Sequence, residues 1–196
     1  MEYLESTGTE VKEKIVLDYV PSENDIIKIG VYAISYGGEY YAIASKTGAW
    51  NATPNYWFTL KAISNFQCWT FSSYQELPFS GYQSKKMDIV LDLPDKKIMA
   101  TYDGILRQKT INVGVSSSGQ SPLTLFDRGK WRIYYLNVVR NGVCVCNIVP
   151  VRVGSEGAMY DRVSGKLFRN QGTGNFSYGN DIASTPTAYR NLGWYT

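Results

Sequence analysis

The chain has 196 residues, enough for one domain to bury a core without help from disulfides or metal. It is 44% hydrophobic and 14% aromatic, with 16 tyrosines and 18 glycines but only 19% charged residues, a balance that points to a β-rich globular domain. A net charge of +3 without a basic stripe argues against nucleic acid, the absence of histidine removes imidazole chemistry, and no apolar run approaches the ~18 residues of a membrane helix.

Residues 3 to 10 read as an extended arm, placed at a sheet edge. Ile15, Leu17 and Tyr19 alternate with Val16 and Asp18 as a first strand, stopped at Pro21–Asn24. Ile26–Tyr36 is a long strand with Ile27, Ile29, Val31 and Ala33 on one face, and Glu39–Ser45 returns after Gly37-Gly38. Lys46–Pro54 is loop-like and carries Trp50 among small polar residues. Tyr56–Ile63 and Phe66–Tyr74 read as aromatic strands, and Gln75–Gln83 as a second loop holding Phe79 and Tyr82. Met87–Tyr102 is a clear hairpin turning at Pro94-Asp95-Lys96, with Asp103-Gly104 closing into the next turn. Gln108–Val115 is a short strand, Ser116–Ser121 a polar loop, and Thr124–Arg128 at most a turn. Strands at such spacing, with turn signals between them and no helical period, predict an all-β, two-sheet antiparallel sandwich.

The richest stretch runs from Trp131 to Gly179. Ile133–Val139 and Val143–Val149 flank Asn141-Gly142, the strongest short hairpin signal there is. Short strands and turns follow at Met159–Gly165, Lys166–Arg169, Gln171–Gly174 and Asn175–Tyr178. Cys144 and Cys146, two apart in one strand, are expected on the same face, where they cannot bond each other. With Cys68 they read as small core residues, and no metal site or cofactor is expected.

The run Asn147–Arg152, then Met159-Tyr160-Asp161, Ser164–Phe168 and Asn170–Phe176, resembles the C-terminal signature of a family of LamG-like (concanavalin A-like) jelly-roll domains. Such domains occur in phage and prophage virion proteins and in surface proteins of gut bacteria. Tyr3–Glu10 is similar to that family's opening motif, and Ile15–Asp18 and Val20–Asn24 to the strand and turn after it. Val11–Lys14 looks like an insertion, and residues 37 to 85 show no family pattern. The resemblance brackets residues 3 to 179, implying a jelly-roll domain over 1–179 with a C-terminal extension over 180–196.

The paired-carboxylate pattern Glu-x-Asp-x-x-Glu of glucanase relatives is absent. Asp88 and Asp92 share a strand face but lie roughly 13 Å apart by strand rise, too far for glycoside hydrolysis. No catalytic residue is therefore expected. Among the aromatics between 50 and 82, strand members read as core, whereas Trp50, Phe79 and Tyr82, in loops, are the expected contacts for a ligand or partner. Tyr189, Trp194 and Tyr195 in the extension mark either a final strand or an assembly tail.

Taken with the resemblance, these features imply a non-enzymatic phage virion protein, a capsid decoration or a tail or fibre component. Its expected partners are other virion proteins and host-surface or mucosal glycans, with a homo-oligomer open and no membrane insertion. If Met1 is the native start, synthesis without a signal peptide in the host cytoplasm follows. The other reading is a carbohydrate-binding module of a bacterial surface or secreted protein.

Overall fold

The structure, a computed structural model, describes residues 1–7, 13–34, 40–46, 56–62, 66–71, 73–116 and 119–182. Among them lie sixteen strands: β1 (Leu4–Glu5), β2 (Ile15–Val16), β3 (Asp25–Ala33), β4 (Tyr40–Lys46), β5 (Tyr56–Ala62), β6 (Phe66–Thr70), β7 (Ser73–Leu77), β8 (Lys86–Asp92), β9 (Lys97–Tyr102), β10 (Ile105–Thr110), β11 (Thr124–Arg128), β12 (Trp131–Arg140), β13 (Val143–Val153), β14 (Glu156–Asp161), β15 (Leu167–Phe168) and β16 (Ser177–Tyr178). They form two antiparallel sheets packed as a sandwich, the expected fold class. The larger has the order β10-β9-β8-β3-β12-β13-β14-β15, with β1 inserted between β12 and β16, and the smaller runs β2-β11-β4-β5-β6-β7.

Period-two alternation builds the interface between them. Ile27, Ile29 and Val31 of β3, Ile89 and Leu91 of β8, and Ile133, Leu136 and Val138 of β12 face Ile43, Phe58, Leu60, Phe66 and Cys68 of the smaller sheet. Each of these is fully buried, worth roughly 1.5–3 kcal/mol for a large apolar side chain. Two hairpins turn where the sequence demands it. Asn141 and Gly142 have φ of 51° and 79°, and Asp103 and Gly104 have 54° and 69°, the paired left-handed residues that match strand twist.

Several elements differ from expectation. The arm lies inside the larger sheet, not at its edge: Leu4 pairs with Ile133 on one side and Tyr178 on the other. Phe66–Tyr74 is not one strand, because Phe71, at φ 53°, turns the chain and sends β7 back along β6. Thr124–Arg128 is a strand broken by a bulge at Phe126, φ 57°, and β10 begins at Ile105, three residues before the expected strand. A second bulge in β13 corrects the cysteine geometry. Val138 pairs with Cys146 and Val139 with Cys144, so Val145 is an extra residue. Cys146 joins the core, while half-buried Cys144 receives a hydrogen bond from Asn137 Nδ2 at 3.3 Å.

The two end motifs meet. Gly179 N–H donates to Tyr3 O at 3.1 Å, Gln171 N–H to Lys14 O at 2.9 Å, and Lys14 N–H to Asn170 Oδ1 at 3.1 Å. Asn170 also holds its own turn, accepting from Gly172 N–H at 2.9 Å and donating to Gly174 O at 2.6 Å. Phe176 packs on Phe126 at 4.8 Å between centroids. The signature is thus a set of turns and caps that closes the sandwich.

Candidate binding surface

The outer face of the larger sheet carries tyrosines contributed by distant parts of the chain. In register, Lys86 of β8, Tyr32 of β3, Arg132 of β12 and Glu5 of β1 are direct neighbours across four strands. In the next row, Asp88 lies opposite Gly30 and Gly30 opposite Tyr135. A bulge between Ile133 and Tyr135 makes both Tyr134 and Tyr135 half-buried residues outside the core, where strict alternation would have turned one of them inward.

Contacts between these side chains form a continuous chain. The Arg132 guanidinium carbon lies 4.6 Å from the Tyr3 ring centroid and 5.0 Å from that of Tyr32. Its Nε donates to Glu5 Oε2 at 2.5 Å, and that hydrogen bond is the main cause raising its pKa. Tyr3 meets Tyr134 edge-on at 5.5 Å, and Lys86 Nζ stands 4.4 Å from the Tyr134 centroid. Tyr135 lies on the backbone of Gly30, where an added Cβ would fall 2.6 Å from Tyr135 Cε1. Its hydroxyl donates to Asp88 Oδ1 at 3.0 Å. Burial first, and Asp88 second, push its pKa up, so it stays a neutral donor. Tyr3, Tyr32, Tyr134 and Tyr135 are all half-buried, with rings fixed by neighbours yet open to solvent. Fixed aromatic faces beside hydrogen-bond donors and acceptors are groups that can stack on and orient a ligand.

The residues expected at a site are elsewhere. Phe79 and Tyr82 are core, 2% and 0% exposed, which corrects their reading as contacts. The loop folds inward and packs both rings on Phe66, at 6.3 and 5.2 Å, with Tyr102 Oη donating to Ser80 O at 2.7 Å. Burial on the core side outweighs what a loop position implies. Of the same aromatic run, Phe71 packs on Phe58, whereas Trp69 and Tyr74 pair at 5.4 Å, with Tyr74 44% exposed. Trp50 and the tail aromatics Tyr189, Trp194 and Tyr195 lie outside the described residues.

The remaining polar groups hold structure. Asp25, fully buried, accepts from Arg140 Nε at 2.7 Å, from Arg140 Nη2 at 3.0 Å, from Ser22 N–H at 2.6 Å and from Tyr19 Oη. A cleft of about 120 Å³ lies beside Tyr19, Cys146 and Phe168, and Asp161 lines it. Both Asp161 oxygens are taken up by the turn after it, and Lys166 pairs with Asp18 at 2.5 Å there. Burial pushes the Cys68 thiol up to about 12. Among the described residues, no three acidic or cysteine side chains sit close enough to hold a metal ion.

No protein-family model and no curated protein matches the chain. Among solved structures it is similar to the SPRY domain of human HERC1, at 15% identity over 64% of this chain and 84% of that one, with a TM-score of 0.34. It is also similar to a sialidase, at 13% identity over 62% of this chain, with a TM-score of 0.29. The aligned part spans 14% of the sialidase's length. At these scores neither likeness says what the chain binds.

Proposed function

We propose that this chain is a non-catalytic β-sandwich binding domain of a phage particle, and that the outer tyrosine face of its larger sheet adheres to glycans. The observation that carries the adhesive part is the chain of contacts from Tyr32 through Arg132, Tyr3 and Tyr134 to Lys86. Sugar rings stack on such faces, and their hydroxyls pair with neighbouring Arg, Lys, Asp and Glu groups. The non-catalytic part is supported by three of the carboxylates: Asp25 and Asp161 are bound up in the fold, and Asp88 accepts from Tyr135. The virion part rests on the resemblance at both ends of the chain, with residues beyond 182 as the attachment segment to capsid or tail.

A glycan array tests the adhesive part. The wild-type chain is expected to bind a subset of glycans, and Tyr32→Ala to weaken that binding about tenfold or more, as loss of a stacking ring implies. Unchanged binding by Tyr32→Ala would remove this face from the account. Mass spectrometry of density-banded particles tests the virion part. Peptides in the particle band support it, and peptides found on cells or in the medium instead favour a bacterial surface module.

A further inference from the structure

Resting on the glycan-binding reading of the tyrosine face, the geometry also points to the charge of the ligand. Arg132 is held between two rings, at 4.6 and 5.0 Å, with its Nε fixed by Glu5. A guanidinium so restrained keeps its planar fork in place, and loses little freedom when it receives a carboxylate. Lys86, exposed on β8, rests over Tyr134 and has no carboxylate partner among the described residues. Lys86, Tyr32 and Arg132 occupy adjacent strands in one row, so the backbone positions that carry the two cations lie roughly 10 Å apart across the sheet, two strand spacings. Three acids on this face accept from donors of the chain itself, while a fourth, exposed Glu2, lies near enough for its charge to act on the Tyr134 hydroxyl. Glu5 takes Arg132 Nε, Asp88 takes the Tyr135 hydroxyl at 3.0 Å, and Asp92 takes Asp95 N–H at 3.1 Å. Beside its tyrosine rings the face offers a ligand two cationic groups, Arg132 and Lys86.

We propose that this face takes a carboxylate-bearing polysaccharide, a uronate polymer, with acid groups at Arg132 and Lys86 and a sugar ring between them beside Tyr32. The test is calorimetric titration of the full chain with polygalacturonate, its methyl ester, dextran sulfate, uncharged dextran and polyglutamate. Polygalacturonate is expected to bind at least about tenfold more tightly than its methyl ester, and to weaken as salt rises from about 50 to about 300 mM. Lys86→Gln is expected to weaken it about three- to tenfold while leaving thermal unfolding unchanged, because that side chain is exposed. Arg132→Lys, which keeps the charge and loses the fork, is expected to weaken it as well.

Equal binding of the methyl ester without a salt effect overturns the acidic ligand and leaves the glycan reading standing. Preference for dextran sulfate replaces carboxylate by sulfate and overturns the uronate. Polyglutamate binding as tightly as polygalacturonate overturns the polysaccharide in favour of an acidic peptide. Failure of every polysaccharide overturns the glycan reading itself, and this inference with it.

Discussion

Asp161 shows how one residue of the C-terminal motif organises its surroundings. Its Oδ1 accepts from Asn147 N–H at 2.8 Å and Val163 N–H at 3.1 Å, and its Oδ2 from Ser164 N–H at 3.2 Å and Ser164 Oγ at 2.6 Å. One carboxylate thus ties β13 to the turn after β14. Burial alone raises its pKa, but the hydrogen bonds from Ser164, Asn147 and Val163 outweigh that and hold it below the ordinary 3.8. Because the folded value is depressed, the stabilisation is complete above the unfolded pKa and is lost as pH falls through the folded one. Asp161→Asn keeps the size but has one acceptor oxygen where the turn needs two, and is expected to cost roughly 1–3 kcal/mol at neutral pH. The same change should flatten the loss of stability below about pH 4. Urea unfolding at pH 7 and pH 3 reads both; an identical acid slope in the variant would assign that slope to other carboxylates. Tyr135 and Gly30 make the corresponding point on the outer face, where the missing side chain at 30 is what lets the ring at 135 lie flat on the sheet.

At the scale of elements, legibility followed backbone chemistry. The β12–β13 hairpin and the turn at Asp103-Gly104 were readable because Asn-Gly and Asp-Gly supply the two left-handed residues a tight turn needs. The turns at Phe71 and Phe126 were not, since a phenylalanine at positive φ costs about 1 kcal/mol and has no turn signature. β1 was misplaced because a two-residue strand is too short to show alternation, although Leu4 is fully buried. The segment between β7 and β8 was misread for another reason. Pro78, Gly81 and flanking polar residues announce a loop correctly but say nothing of which way its rings point. Phe79→Ala is accordingly expected to destabilise the protein by about 3–5 kcal/mol, as for a core phenylalanine, while glycan affinity per folded molecule stays unchanged. Thermal unfolding combined with binding at low temperature checks this. A stable variant with impaired binding would restore Phe79 as a contact.

For the whole molecule, the sandwich assembles on one outer face residues that the sequence keeps far apart. Tyr3, Tyr32, Lys86 and Tyr134 come from the arm before β1, from β3, from β8 and from β12 in turn, so no local pattern announces the surface they make. Only the outward position of Tyr32 was legible, from alternation in β3, and the bulge that places Tyr134 beside Tyr135 depends on pairing with β3. The same assembly explains why resemblance at the two ends was informative about fold and silent about ligand. Those motifs form hydrogen-bonded turns and one strand pairing, while the groups that face solvent come largely from strands between them.

The measurement that tests the tyrosine face most directly is amide chemical-shift mapping of the ¹⁵N-labelled chain during titration with polygalacturonate. The account predicts saturable shifts at Glu5, Gly30, Tyr32, Lys86, Arg132 and Tyr134. Shifts confined to residues 47–55, to Trp69 and Tyr74, or to the last fourteen residues would contradict it and move the binding surface there.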